Sequence, residues 1–170
     1  MPDLIRADQL AGLGPEDLAL AIRPLFEDSM WLAGRLAGRT FSDWGDLIDA
    51  SEAALEEASD AEKAEVLRSH PRLGASQKDL RTRSETSWRE QGAGRDPGER
   101  VLEELSAANG RYEARFGFPF VDWVAGRPLE AMIGVIDARS TGDRSSELTR
   151  GCQALVAIAR DRLEKIGEDV

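Results

Sequence analysis

The chain has 170 residues, with 22 basic against 32 acidic side chains for a formal charge of -10. That length suits one domain over residues 1–170, with a core large enough to stand without a disulfide or a structural metal. The charge repels phosphate backbones and anionic lipid, so neither nucleic acid nor a membrane surface is an expected partner. A single cysteine, Cys152, excludes an intramolecular disulfide and any multi-cysteine metal cluster. It falls in an apolar helical stripe and reads as a packed core thiol. No apolar run approaches the roughly eighteen residues of a membrane span, and Met1-Pro2-Asp3-Leu4-Ile5-Arg6 lacks the layout of a signal peptide, so the expected compartment is the cytoplasm.

Strand-like alternation hardly occurs, whereas helix start signals and three- and four-residue apolar steps recur. The expected fold is all-α, a multi-helix bundle with one extended aromatic, glycine- and proline-containing connector. After a short opening at residues 7–13, Gly14-Pro15-Glu16-Asp17 starts a helix with proline at its first position, and Pro24 limits or kinks it. Ser29 caps the next, which carries Trp31, Leu32, Leu36 and Ala37 before Gly38-Arg39-Thr40 breaks it. Ser42 caps a third, with Trp44, Leu47, Ile48, Ala54, Leu55 and Ala58 forming its apolar side. Ser59-Asp60-Ala61-Glu62 is a capping box, and the helix it opens runs to His70.

Residues 73–83 read as a loop leading to a helix that bears Ser87, Glu90 and Gln91 and ends at Gly92-Ala93-Gly94. Asp96-Pro97-Gly98-Glu99 starts a long amphipathic helix with Val101, Leu105, Ala108, Tyr112 and Phe116 on one face. Residues 117–128 then break the rhythm. An extended, apolar and aromatic segment of this kind suits a buried connector, and its backbone groups are free to hydrogen-bond a polar heterocycle. Leu129, Met132, Ile133, Val135 and Ile136 make a further helix. The last begins near Asp143 and buries Leu148, Cys152, Leu155, Val156, Ala159, Leu163 and Ile166. Arg162 lies on the margin of that stripe, where a guanidinium either snorkels to solvent or points into a site.

His70 is the one histidine, and histidine is the side chain whose ordinary pKa, roughly 6.5, permits proton transfer near neutrality. Pro71 disfavours helical geometry at His70, which leaves the imidazole at a helix end facing a turn. Ser87, Glu90 and Gln91 stand at i, i+3 and i+4, a hydroxyl, a carboxylate and an amide on one helical face. A surface or capping histidine and a solvated polar face remain open readings of the same residues.

Taken together, five segments resemble one family, the 2-oxo-4-hydroxy-4-carboxy-5-ureidoimidazoline (OHCU) decarboxylases. They are Phe26-Glu27-x-Ser29-x-Trp31, His70-Pro71-x-Leu73-Gly74, Ser87-x-x-Glu90-Gln91, Tyr112-x-x-x-Phe116-Gly117-Phe118-Pro119-Phe120-Val121 and Arg160-x-Arg162-Leu163. The resemblance implies a cofactor-free, metal-free, homodimeric all-α enzyme that converts OHCU to (S)-allantoin and CO2, the last step of urate oxidation. It implies catalytic roles for His70, Glu90 and Arg162, and substrate contacts from Pro71, from Ser87, Trp88, Arg89 and Gln91, and from Phe120, Val121, Asp122, Trp123 and Val124. After Phe120-Val121 this chain reads Asp122-Trp123-Val124-Ala125-Gly126-Arg127, where many animal members carry Ile-Cys-Ala-Arg. By the chemistry of the reaction, the ring takes the electrons left by CO2, Glu90 keeps His70 basic, and the Arg162 fork holds the departing carboxylate or a ring oxyanion. Two other readings are a binding module for a small heterocycle and a lyase for a related ureido or hydantoin substrate.

Overall fold

The computed structural model describes residues 4–75 and 98–168, and among them the chain forms seven α-helices and no strand. The helices are α1 (Pro15–Phe26), α2 (Met30–Leu36), α3 (Trp44–Glu57), α4 (Asp60–Arg68), α5 (Glu99–Phe116), α6 (Leu129–Arg139) and α7 (Arg144–Glu168), preceded by a 3-10 turn at Ala7–Leu10. The all-α expectation holds. Among the described residues, no helix is long and apolar enough to cross a membrane.

The 25-residue α7 is the spine. It packs against α1, α3 and α4, while α2 rests on α1, α3 and α4, and α5 pairs with α6. Ile22, Leu32, Leu36, Leu47, Ile48, Leu67, Met132, Ile136 and Leu148 have no exposure worth counting, and each such side chain contributes about 1.5–3 kcal/mol relative to exposure. The α4–α7 contact is close because α7 presents Gly151 to Leu67. A Cβ at Gly151 would lie 2.9 Å from both Leu67 methyls.

Start signals translate into structure with two corrections. Pro15 occupies the first position of α1, and the Ser59–Glu62 box is formed at α4, with Ser59 N–H donating to Glu62 Oε2 at 2.9 Å. At α3, however, the cap is Asp43, whose carboxylate accepts from Asp46 N–H at 2.8 Å, while the Ser42 hydroxyl donates to the Asp46 carboxylate. A carboxylate one residue nearer the helix outcompetes the hydroxyl for the free amide. Ser29 does hold the N-cap position of α2, but its Oγ is sealed and makes no cap bond. Nor does Pro24 end α1, which continues to Phe26: so near the C-terminus, proline removes a single intrahelical bond. Along α7, Leu163 and Ile166 are only partly buried.

Candidate active site

The histidine side of the site follows from α4 and the turn after it. Ser69 closes α4, and His70 N–H still donates to Leu67 O at 3.2 Å before Pro71 stops the helix. The turn is then fixed to one face of α5, where Leu105, Asn109 and Glu113 stand four residues apart. Arg72 forks onto the Glu113 carboxylate, with Nε 2.7 Å from Oε1 and Nη2 on Oε2. The carbonyl of buried Leu73 accepts from Asn109 Nδ2 at 2.8 Å. Gly74 has φ +73°, and the space a Cβ would need is occupied by the Leu105 side chain. Only glycine meets both demands, which is why the motif ends as it does.

Facing it is a wall made by residues 117–128, which lie in no helix. Phe118, Phe120, Val121 and Val124 are buried, and Trp123 is 44% exposed. The ring of Tyr112 meets Phe116, Phe118 and Phe120 edge-on, at 4.7, 5.9 and 5.4 Å between centroids. Guanidinium groups cover the three phenyl rings: Arg115 over Phe116, Arg144 over Phe118 and Arg139 over Phe120. Such aromatic and cation–π contacts hold an irregular segment in place without backbone ladders. Arg68, at the end of α4, donates Nε and Nη2 to Gly117 O at 3.0 and 2.9 Å and so joins the two sides.

Between them lies a cavity of about 300 Å³. His70, Pro71 and Leu73 form one side, residues 120–126 another, and Ile158, Asp161 and Lys165 of α7 a third. Lys165 Nζ sits 2.6 Å from Asp161 Oδ2, so the charges on the α7 side are paired. Asp122 is held from behind by Arg127 Nη2 at 3.0 Å. The His70 residue keeps partial exposure at the cavity, but its Nδ1 is sealed and has no hydrogen-bond partner among the described residues. Burial, and after it the positive charge of Arg162, pushes the imidazole pKa down to about 3, so His70 is neutral at pH 7.

Arg162 does not snorkel. Its Nη2 pairs with Glu27 Oε1 at 2.8 Å and its Nη1 donates to Leu25 O at 3.1 Å, with both side chains of the pair essentially inaccessible. Glu27 adopts φ +58°, a region that costs a non-glycine residue about 1–3 kcal/mol and persists only where surroundings enforce it. The buried ion pair supplies that enforcement.

The structure therefore brings His70, Pro71, Phe120, Val121, Asp122, Trp123 and Val124 around one cavity. Arg162, buried in its pair with Glu27, is not among the described residues that line this cavity. An imidazole supported in its protonated form is the sequence expectation; the described surroundings favour the neutral form. Ser87, Trp88, Arg89, Glu90 and Gln91 lie outside the described residues. Sequence reasoning missed Ile158, Asp161 and Lys165, whose i, i+3, i+7 spacing on α7 was a usable signal, and Glu27, which stands in a quoted motif but received no role.

The site belongs to an all-α bundle that sets the His70 imidazole, at a helix end, against a cavity of about 300 Å³. The OHCU decarboxylase family model matches residues 12–164, and the chain belongs to that family. It is 31% identical over 163 residues to the Uric acid degradation bifunctional protein PucL of Bacillus subtilis, a match covering 94% of this chain and 32% of that protein. This chain thus spans about a third of that relative's length. It is also 30% identical over 158 residues to the 2-oxo-4-hydroxy-4-carboxy-5-ureidoimidazoline decarboxylase of Haloferax volcanii, covering 91% of this chain and 92% of that one. A crystal structure of OHCU decarboxylase in the presence of (S)-allantoin superposes with a TM-score of 0.63 at 19% identity, over 86% of this chain and 96% of that one. That likeness shows the fold.

Proposed function

We propose that this chain decarboxylates OHCU to (S)-allantoin and CO2 without a cofactor, as a carboxy-lyase of urate degradation. The observation that carries the reading is the imidazole of His70 at the end of α4, facing a cavity of about 300 Å³ in a chain of this family. A neutral imidazole carries one donor and one acceptor nitrogen, which suits relay of a proton between neighbouring atoms of one substrate.

The steps balance. The C–COO⁻ bonding pair passes to ring carbon 4 and on into the C=N unit of the imidazoline as CO2 leaves, and one proton from solvent neutralises the ring. His70 takes the 4-hydroxyl proton, so that carbon 4 becomes a carbonyl, and returns a proton to the adjacent ring carbon on one face, which fixes the enantiomer. Pro71 and the stretch Phe120, Val121, Asp122, Trp123 and Val124 hold the heterocycle. Ser87, Trp88, Arg89 and Gln91 complete its binding, and Glu90 orients the imidazole. Arg162, oriented by its pair with Glu27, holds the departing carboxylate or a ring oxyanion. We further propose one domain, a homodimer and a cytoplasmic location.

The test is to form the intermediate from urate in situ and follow optical activity. Rapid appearance of a single enantiomer on adding this protein is the expected result; a rate and rotation equal to the protein-free control overturn the reading.

A further inference from the structure

Three helices converge on one buried carboxylate beside the cavity wall. Glu147, in the first turn of α7, has no exposed side-chain surface. Its Oε2 accepts from Tyr112 Oη of α5 at 2.7 Å and from Arg139 Nε of α6 at 2.9 Å, and Arg150 Nη1 lies 3.2 Å from its Oε1. With Nε committed there, Arg139 turns its guanidinium face and Nη1 to the wall, while its Nη2 is buried without a hydrogen-bond partner among the described residues. Its guanidinium carbon is 4.7 Å from the Phe120 ring centroid, and its Nη1 is 3.8 Å from Asp122 Oδ1.

A second arginine also braces this stretch. Arg127 donates to Asp122 Oδ2 at 3.0 Å, to Trp123 O at 2.6 Å and to Val124 O at 2.9 Å. Arg127, however, belongs to the same irregular segment and moves with it. Arg139 is fixed to the helical frame and only 12% exposed. Of the two, it alone ties the wall to elements that cannot shift independently.

We propose that Arg139 is the positioning residue of the cavity wall: clamped by Glu147 and Tyr112, it sets where residues 120–124 stand and hence how tightly the carboxylate-bearing heterocycle binds. The ligand in this statement rests on the function proposed above; the anchoring does not. Arg139 touches no reacting atom in this scheme, so its loss weakens binding more than the proton relay.

The test uses the full chain and the variants Arg139→Lys and Arg150→Gln, read by hydrogen exchange of the peptide spanning 118–126, by thermal melting and by steady-state kinetics. Lysine keeps the charge opposite Glu147 but cannot span from Glu147 to Asp122. Arg139→Lys is expected to melt near wild type, to raise KM roughly ten- to hundredfold with kcat changed only a fewfold, and to accelerate exchange in 118–126 alone. Arg150→Gln, altering an exposed partner on the other oxygen of Glu147, should leave KM and exchange at wild-type values. A folded Arg139→Lys with wild-type KM and wild-type exchange overturns the proposal, as does an equal rise in both variants. Faster exchange in a protein whose wild type turns over no OHCU would sink the functional reading and leave the anchoring intact. Should Arg139→Lys not fold, Asp122→Asn removes the charge that both arginines face and Arg127→Gln reports the share owed to Arg127; exchange unchanged in Asp122→Asn, or no faster there than in Arg127→Gln, overturns the proposal.

Discussion

The two sides of the cavity are held by different means. On the histidine side, a tight turn is fixed by a backbone carbonyl, a glycine without room for a side chain, and the Arg72–Glu113 pair, in which Arg72 is 44% exposed. On the wall side, an irregular segment is fixed by a cluster of aromatic rings and by a carboxylate with no exposure, served by Tyr112 and Arg139. The first arrangement leans on α5 residues 36 and 41 positions further along the chain, and its ion pair stands partly in solvent. Both depend on partners that meet only after folding, but the second sets its charges in a buried site, where removal of one partner is costly.

The largest expected effect separates chemistry from scaffold altogether. His70→Ala should lower turnover by about a hundred- to ten-thousandfold, the usual contribution of an acid/base group, while the far-ultraviolet circular dichroism stays that of the wild type. Turnover within a fewfold of wild type would remove His70 from the reaction. Next comes the wall: Glu147→Gln removes the nearer and fully buried of the two carboxylates that face Arg139 and should cost roughly 3–5 kcal/mol, read from urea midpoints. On the histidine side, Gly74→Ala should cost less, roughly 2–4 kcal/mol, from the positive φ and the collision with Leu105. If Gly74→Ala proves the more damaging of the two, the contrast drawn between the sides is reversed.

The smallest effect is a pH dependence. The free imidazole titrates near 6.5 and the folded one near 3, so the unfolded chain binds the extra proton between those values. Stability from this group is therefore complete above about pH 6.5 and declines as pH falls, by about 1–2 kcal/mol at pH 5. Because the chain has one histidine, His70→Asn should remove that component from urea midpoints measured at pH 7.5 and 5. Arg162→Met deletes a neighbouring positive charge, so the His70 pKa, followed by NMR, should rise. A fall would contradict the electrostatic role given to Arg162.

Much of the histidine side was legible in the sequence. The Ser59 capping box set where α4 begins, Pro71 set where it stops, and the two together placed the imidazole at a helix end. The wall was legible as a break in helical rhythm at residues 117–128, with apolar side chains that had to be buried somewhere. Its anchors were not. In sequence, Glu147 looks like an acid that complements the start of a helix, and Arg139 like a cation that complements the end of one, and both roles normally belong to solvated side chains. What makes them a buried pair is Tyr112, 35 residues before Glu147, and no periodicity reports such a distance. The same holds for Arg162 and Leu25, separated by 137 residues. Ser42 and Ser29 show a smaller limit: a hydroxyl in the right place predicts a helix start, but the amide goes to the strongest acceptor within reach.

The contact of Leu67 with Gly151 has a consequence for how the site tolerates change. Most helix pairs meet through interlocking side chains, and a cushion of that kind absorbs small substitutions by shifting rotamers. Here Leu67 rests on the bare backbone of α7, so the spacing between the histidine's helix and the helix that carries Ile158, Asp161 and Lys165 has no slack. Adding one methyl group at Gly151 must displace the buried Leu67 methyls or shift α4 itself, and His70 stands three residues beyond Leu67. Distance from the His70 imidazole to the far lining of the cavity is thus gauged at a point that touches neither.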